Sequence, residues 1–456
     1  MIASYKEHIQ FILIMCIMYV SGVWGGPIIY IMYPLVLLMI GLRRGFFELF
    51  ILAIWILILA DYVQVRNATH DDLQFAKDLK FFAPLALFGF FALNRHDFPE
   101  APKIIWWFIP FLAVATIGLY YSLDLRVGAQ KTVSFVLMYL TVPFYVVYLH
   151  QTMGDTFWKA LMTFIIGMLS IGVVLRFAAP QIALIEGTTR FKSVLGNPNG
   201  LGIFLHLTFM LWITIMELKL AKFTKKENWY ILLILVVSLI WCGSRNGIMN
   251  VILFFLIYRL LKVHWVLALI MVAIFITFQD QLFEVFISVI EFFNLEGYFR
   301  VETIEEGSGR KIAWVFAWQE IQNYYFVGGG FGHDEHIMRP NYHWLARLGH
   351  QGGVHNSYLS MWFDAGVVGL ASYFLAFIMQ TFRAMKNSYV VLAFTVTVMF
   401  SITYESWLVA SLNPFTILFL TLFTIYTGNL KNSAVGAESE ELDEAEPIVN
   451  EELQVA

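Results

Sequence analysis

The residues best suited to chemistry lie in one polar interval that closes at His355-Asn356, where a new apolar stretch begins. The interval opens at Gly307-Ser308-Gly309-Arg310, passes Trp314 and Trp318, and turns through Gly328-Gly329-Gly330-Phe331-Gly332. Long ordered loops are usually functional. A histidine at a helix N-terminus feels the positive end of the dipole, which favours a neutral ring with a nitrogen open to a proton. That is what a general base requires. Arg310 would stand in the first turn of a helix over 311–325. There Ile312, Val315, Phe316 and Ile321, with Trp314 and Trp318, give an apolar face able to lie on a membrane surface. Asp364, deeper in the apolar stretch, is costly in lipid unless paired or hydrated, so it should face the interior. Gly366 and Gly369 allow a neighbour to approach closely. Five of the 11 histidines, His333, His336, His343, His350 and His355, crowd this region. The His-Glu-x-x-His frame of a zinc hydrolase is missing, so no metal ligand and no cofactor are assigned.

Two more polar turns carry cations. In Thr189-Arg190-Phe191-Lys192-Ser193-Val194-Leu195-Gly196-Asn197-Pro198-Asn199-Gly200, an Asn beside Pro198 reads as the cap and first turn of a helix. A helix N-terminus flanked by Arg190 and Lys192 suits an anion; a bare topological loop with Arg at the head groups is the plain alternative. In Cys242-Gly243-Ser244-Arg245-Asn246-Gly247 two helices reverse at once. Arg245 there either binds substrate or snorkels to the interface.

The elements that must position these groups are helices in a bilayer. A chain of 456 residues that is 59% hydrophobic, 17% aromatic and 14% charged cannot cover a soluble globule of its size with polar surface. Closed backbone hydrogen bonding leaves helices as the spanning element. At about 20 residues per span, apolar stretches centre near 15, 35, 55, 87, 112, 140, 167, 208, 236, 252, 272, 369, 398 and 420. The expected fold is therefore all-α, a polytopic membrane bundle of about 12–14 transmembrane helices, with a large outer loop over 280–353 containing short helices. The first apolar stretch reads as a retained span. Placing the N-terminus inside puts Arg43-Arg44, Arg95 with Lys103, Lys219, Lys222, Lys225 and Lys226, Arg259 with Lys262, and Arg383 with Lys386 on the cytoplasmic side. Arg190, Arg245 and the 280–353 loop then face outward, and an exported cation is most simply explained by an anionic ligand. The transmembrane domain is 1–436; the acidic tail 437–456 is expected to be disordered and cytoplasmic. Cys16 and Cys242 give no disulfide framework. No internal repeat is evident, the sequon at Asn67 carries no weight, and nucleic acid is not an expected partner.

From 188 to 369 the chain resembles the O-antigen ligase and Wzy-type polymerase superfamily of bacterial envelope glycosyltransferases. The resemblance is carried by the Arg190 loop before Asn197-Pro198-Asn199, the Ser244-Arg245 turn, Gly309-Arg310 with Trp314, the run from Gly328 to Gly332, and His355-Asn356 followed by Gly366 and Gly369. It implies a GT-C-like bundle in the bacterial inner (cytoplasmic) membrane with its active site on the periplasmic side. There a glycan would move from an undecaprenyl diphosphate carrier to an acceptor hydroxyl without a metal. In that scheme His355 and Arg310 are catalytic, and Arg190, Arg245, Lys192, Asn356 and Asp364 bind substrate. A lipid diphosphate is a good leaving group, so cations to stabilise the developing charge and one base suffice; a retaining glycosidase would want two flanking carboxylates. Lipid A core, a second lipid-linked repeat and a protein hydroxyl all remain open as acceptor. The Arg-x15-Gly spacing of polymerases fails at His206 and Phe326, and the His-x7-Gly spacing of some ligases fails at Phe363. A transporter using Asp364, Glu405 or Arg176 as a relay, and a metal hydrolase on the histidine loop, are the competing classes.

Overall fold

The computed structural model describes residues 6–63, 73–100, 102–292, 310–350, 352–410, 412–428 and 430. The acidic tail, Gly307 to Gly309 and the Asn67 sequon lie outside the described residues. Every expected apolar centre falls inside an α-helix: α1 Ile9–Trp24, α2 Ile28–Leu42, α3 Phe46–Tyr62, α4 Phe82–Leu93, α5 Lys103–Ile117, α6 Leu125–Met153 and α7 Asp155–Ala178 in the first half. The second half supplies α8 Pro198–Glu217, α9 Lys225–Cys242, α10 Arg245–Val263, α11 Trp265–Thr277, α12 Ser357–Ala384, α13 Val390–Tyr404 and α14 Pro414–Thr427. By length and composition, 6 described helices can cross a membrane, and α1, α2, α13 and α14 are apolar but shorter. The chain is an all-α polytopic bundle. Helices apolar on every side belong in its centre, and α3, α8 and α14 are buried along nearly their whole length.

The two ends of the bundle differ in charge. At one end Glu217 accepts hydrogen bonds from Lys262 at 2.7 Å, Tyr258 at 2.5 Å and Tyr389. At that end too, Arg383 lies 4.2 Å over the Trp107 ring, and Arg44 pairs with Asp97 at 3.1 Å near the foot of α3. These are the cations that charge bias assigns to the cytoplasm. Arg190, Arg245, Arg310 and His355 gather at the opposite end, at the starts of α8, α10 and α12 and in the loop between α11 and α12.

That loop departs from expectation at its beginning, since residues 279–292 continue as the helix Gln279–Phe292. Further on, the helix Arg310–Ile321 forms as the sequence suggests, but it does not present the expected face. Ala313, Ala317 and Ile321, spaced four apart, are buried with Met338, Leu345, Val354 and Phe363 in a small core of the loop's own, while Val315 is 60% exposed. Small residues on one stripe let this helix pack closely; Ile312, Trp314 and Phe316 pack partly buried against that core, and Val315 and Trp318 are left exposed.

α12 is broken at Gly366, whose φ of 65° and ψ of −177° are not helical. The groups freed by the break are paired with the glycine-rich loop. The N–H of Gly329 donates to Phe363 O at 2.8 Å and that of Gly330 to Asp364 O at 2.9 Å. Val367 and Val368 donate in return to Tyr325 O and Phe326 O at 2.9 and 3.2 Å. Phe331 then plugs into the bundle, with its ring 5.2 Å from Phe135 and 6.1 Å from Phe111. A Cβ on Gly366 would run into the backbone of Phe326, and an L side chain is strained at that φ. Gly366→Ala should destabilise the protein by about 1–3 kcal/mol and expose the 326–332 amides. Thermal unfolding with hydrogen exchange checks this: unchanged protection of those amides in the variant would contradict the pairing.

Candidate active site

His355 precedes the α12 cap. Asn356 is the N-cap, with its Oδ1 accepting from the Leu359 N–H at 3.0 Å. The backbone of His355 is left-handed, φ 49°, a conformation uncommon outside glycine. It is pinned on both sides: Trp314 Nε1 donates to Val354 O at 3.1 Å, and the Asn356 N–H donates to Ser406 Oγ at 2.9 Å. Ser357 Oγ adds a bond to Glu405 O at 2.7 Å. The turn after α13 is thereby fixed against the start of α12.

That turn carries Glu405, and its carboxylate joins the two residues expected to be catalytic. Arg310 Nη2 donates to Oε1 at 2.8 Å, and His355 Nδ1 lies 3.3 Å from Oε2. Side-chain exposure rises from 10% at Glu405 through 20% at Arg310 to 32% at His355, so the histidine forms the open edge. Burial opposes the charge on Glu405, but the hydrogen bond and charge of His355 and the Arg310 guanidinium outweigh it and hold the carboxyl below its ordinary value. An ionised carboxylate only accepts. In the neutral ring the proton therefore sits on Nδ1 and the lone pair on Nε2, oriented by an acid behind it. His350 packs its ring 6.0 Å from that of His355, and its Nε2 donates to Gly352 O and Gly353 O at 3.2 and 3.0 Å. Burial, then the His355 charge, push His350 below its ordinary value.

The other two cations form a second group. Asn197 caps α8 with Oδ1 accepting from Gly200 N–H at 2.6 Å, as its position beside Pro198 suggests. Arg190 donates to Asn199 Oδ1 at 3.4 Å and to Cys242 O at 3.5 Å, so its loop meets the α9–α10 turn. There Ser244 caps α10, accepting from Gly247 N–H at 3.3 Å, and Arg245 is the first residue of the helix. A chain of contacts links this group to the first. Asn246 Nδ2 donates to Ser401 O at 3.4 Å, and Trp407, two residues past Glu405, donates to Ser401 Oγ at 3.1 Å.

The remaining expected residues are placed differently. Asp364, expected to bind substrate, is 2% exposed, and its two oxygens accept the N–H groups of Gly332 and Asp334 at 3.0 and 3.1 Å. It faces the interior as anticipated, where both oxygens brace the glycine loop. Asn356 has its carbonyl oxygen committed to the cap. Lys192 points toward α3, with Nζ 4.1 Å over the Tyr62 ring. His333 and His336 stack at 6.2 Å, and burial followed by the His336 charge pushes His333 down to about 4. Among the described residues no three His, Cys, Asp or Glu side chains converge to hold a metal. Glu405 was considered only as a transporter relay. The signal that could have placed it here is an acid in a short turn between spans at the His355 end.

An all-α membrane bundle with an Arg–carboxylate–His cluster at one end is the class that fold and site define. Residues 230–374 match the O-antigen ligase family, Wzy_C. Over that segment the chain is similar to O-antigen ligases. No curated protein matches the chain.

Removing Glu405 would strand a mostly buried guanidinium, at a cost of about 3 kcal/mol. Because its folded value is depressed, the pairing contributes fully above the ordinary glutamate value of about 4.3 and is lost as pH falls through the depressed one. Wild-type unfolding midpoints in detergent should therefore drop with acid below that pH, and those of Glu405→Ala should start lower and drop less. Equal acid sensitivity in both would show that the Glu405 charge does not stabilise the fold.

Proposed function

We propose that the protein transfers a glycan from an undecaprenyl diphosphate carrier to an acceptor hydroxyl at the periplasmic face, in the manner of an O-antigen ligase. The observation that carries this reading is the shared Glu405 carboxylate, which holds Arg310 beside the exposed edge of His355, both of them within the residues that match the O-antigen ligase family. His355 Nε2 takes the proton of the acceptor hydroxyl as its oxygen attacks the anomeric carbon, and the diphosphate departs with the bonding pair. Arg310 stabilises the charge that builds on the leaving phosphate, with Arg190 and Arg245 holding the head group. Glu405 touches neither reactant in this scheme. It orients the imidazole and balances the imidazolium formed during transfer.

The acceptor in this reading is lipid A core; a lipid-linked repeat or a protein hydroxyl would use the same donor chemistry. Transfer is favoured over transport by where the acids point. Glu405 is engaged by Arg310 and His355 and Asp364 by the glycine loop, while Arg176 stacks 4.4 Å over Trp241. Three separate sets of contacts make no relay.

In proteoliposomes supplied with a lipid diphosphate glycan and candidate acceptors, His355→Ala should lower transfer by about 10²–10⁴-fold and Arg310→Ala by about 10²–10³-fold. Both variants should still insert in the membrane. Wild-type transfer by His355→Ala would refute the base assignment.

A further inference from the structure

The end of the bundle opposite His355 carries cations that nothing there neutralises. Lys222 in the loop after α8, and Lys225 and Lys226 at the start of α9, are exposed. The two carboxylates beside them are already engaged. Glu217 accepts from Lys262, Tyr258 and Tyr389, and Glu227 closes a capping box with Thr224. Among the described residues, no carboxylate stands within ion-pair reach of these three lysines. Arg259 and Lys386 are exposed near the same hub, since Lys262 and Tyr389, three residues along from each, meet at Glu217. Uncompensated like charges repel, and a surface of one sign attracts the other.

The chain delivers the opposite charge to this end. Tyr426 near the end of α14 shares a hydrogen bond of 2.5 Å with Thr214 of α8, and Leu430 is buried, its N–H donating to Ile425 O at 3.4 Å. Past Lys431 the sequence holds no further cation, and six of the nine residues from Glu438 to Glu446 are acidic. Reach is sufficient. Lys222, eight residues after Thr214, lies no more than about 26 Å from it, and a chain leaving Leu430 can extend about 26 Å by Glu438 and about 53 Å by Glu446.

We propose that the acidic segment 438–446 docks on the lysine loop of its own chain, against Lys222, Lys225 and Lys226. Docking of this kind is independent of the glycan-transfer reading. Exposed ion pairs are weak singly and are screened by salt. Six acids facing three lysines across a short tether act together, at an effective concentration on the order of millimolar. Anionic lipid head groups offer the lysines similar chemistry, but they repel the acidic segment and lack its tether.

The test uses the full chain in phosphatidylcholine nanodiscs with a carbodiimide, which joins a carboxylate to a lysine amine only where the two touch. Mass spectrometry should find links from 438–446 to Lys222, Lys225 or Lys226, and none to Lys311, which is exposed at the His355 end. A second full-length protein has Glu438, Glu440, Glu441, Glu444 and Glu446 changed to Gln and Asp443 to Asn, outside the described bundle. Trypsin should cut after the three lysines about fivefold faster in that variant than in wild type. About 0.5 M salt should abolish the difference. Links as frequent at Lys311 as at the loop, or equal cleavage of the two proteins at low salt, would overturn the docking. Loss of the links in discs containing phosphatidylglycerol would assign the loop to lipid instead. Links between heavy-isotope and light-isotope copies in a mixed sample would assign it to a second molecule.

Discussion

A backbone group left unpaired in hydrocarbon costs several kcal/mol, so a membrane helix can be broken only where something else satisfies it. α12 is broken at Gly366, and the whole site end is built around repairing that break. The glycine-rich run supplies and receives the missing hydrogen bonds, which demands backbone-to-backbone approach and hence positions without Cβ at Gly328 and Gly366. Asp364 secures the next two turns by accepting from Gly332 and Asp334, and Lys131 on α6 reaches Glu335 at 2.7 Å. The glycine-rich run and the residues just after it are thus welded to α12 and α6.

Once the loop is fixed, the start of α12 is fixed, and with it a strained histidine. A left-handed non-glycine residue costs about 1–3 kcal/mol and persists only where its surroundings over-determine it. At His355 the over-determination is visible in Trp314 and Ser406, one on each flanking peptide. Strain of this kind sets the direction of the ring. Glu405 then sets which nitrogen faces out, and His355 with Arg310 holds the Glu405 carboxyl below its ordinary value despite burial. Each step constrains the next, so the Arg310–Glu405–His355 geometry is reached by backbone placement first and charge second.

The helices and their caps were legible because the signals are local. Apolar length located the spans, Asn197 beside Pro198 announced a cap, and Gly243-Ser244 announced a reversal with a left-handed glycine at φ 57°. Arg310 and His355 were legible as candidates because few reasons exist to keep them at an apolar boundary, and both are found on Glu405. Glu405 was not, because it lies 50 residues beyond His355 and nothing short of the packing of α13 against α12 brings it near. Asp364 was legible as inward-facing, but sequence cannot say that two loop N–H groups will bond to its oxygens. The buried stripe of 310–321 was missed for a related reason: alanines signal weakly, yet they are what a tightly packed helix needs.

The second cation group is held by a different device, and the difference bears on how the two groups can cooperate. α8 and α10 meet at Gly202 and Gly247, where a Cβ on Gly247 would stand 2.8 Å from the Gly202 Cα. Such contact leaves little play between the helices. The Arg190 loop is tied to Cys242 O, and Asn246 is tied to α13, the helix that ends at Glu405. The spacing between the Arg190–Arg245 pair and the His355 cluster is therefore set by helix crossings and capped helix starts, which are stiff. A diphosphate gripped by the Arg190–Arg245 pair would meet a base whose position does not depend on loop closure. Orientation fixed in advance of binding is what lets electrostatic stabilisation act without reorganisation at the moment of transfer.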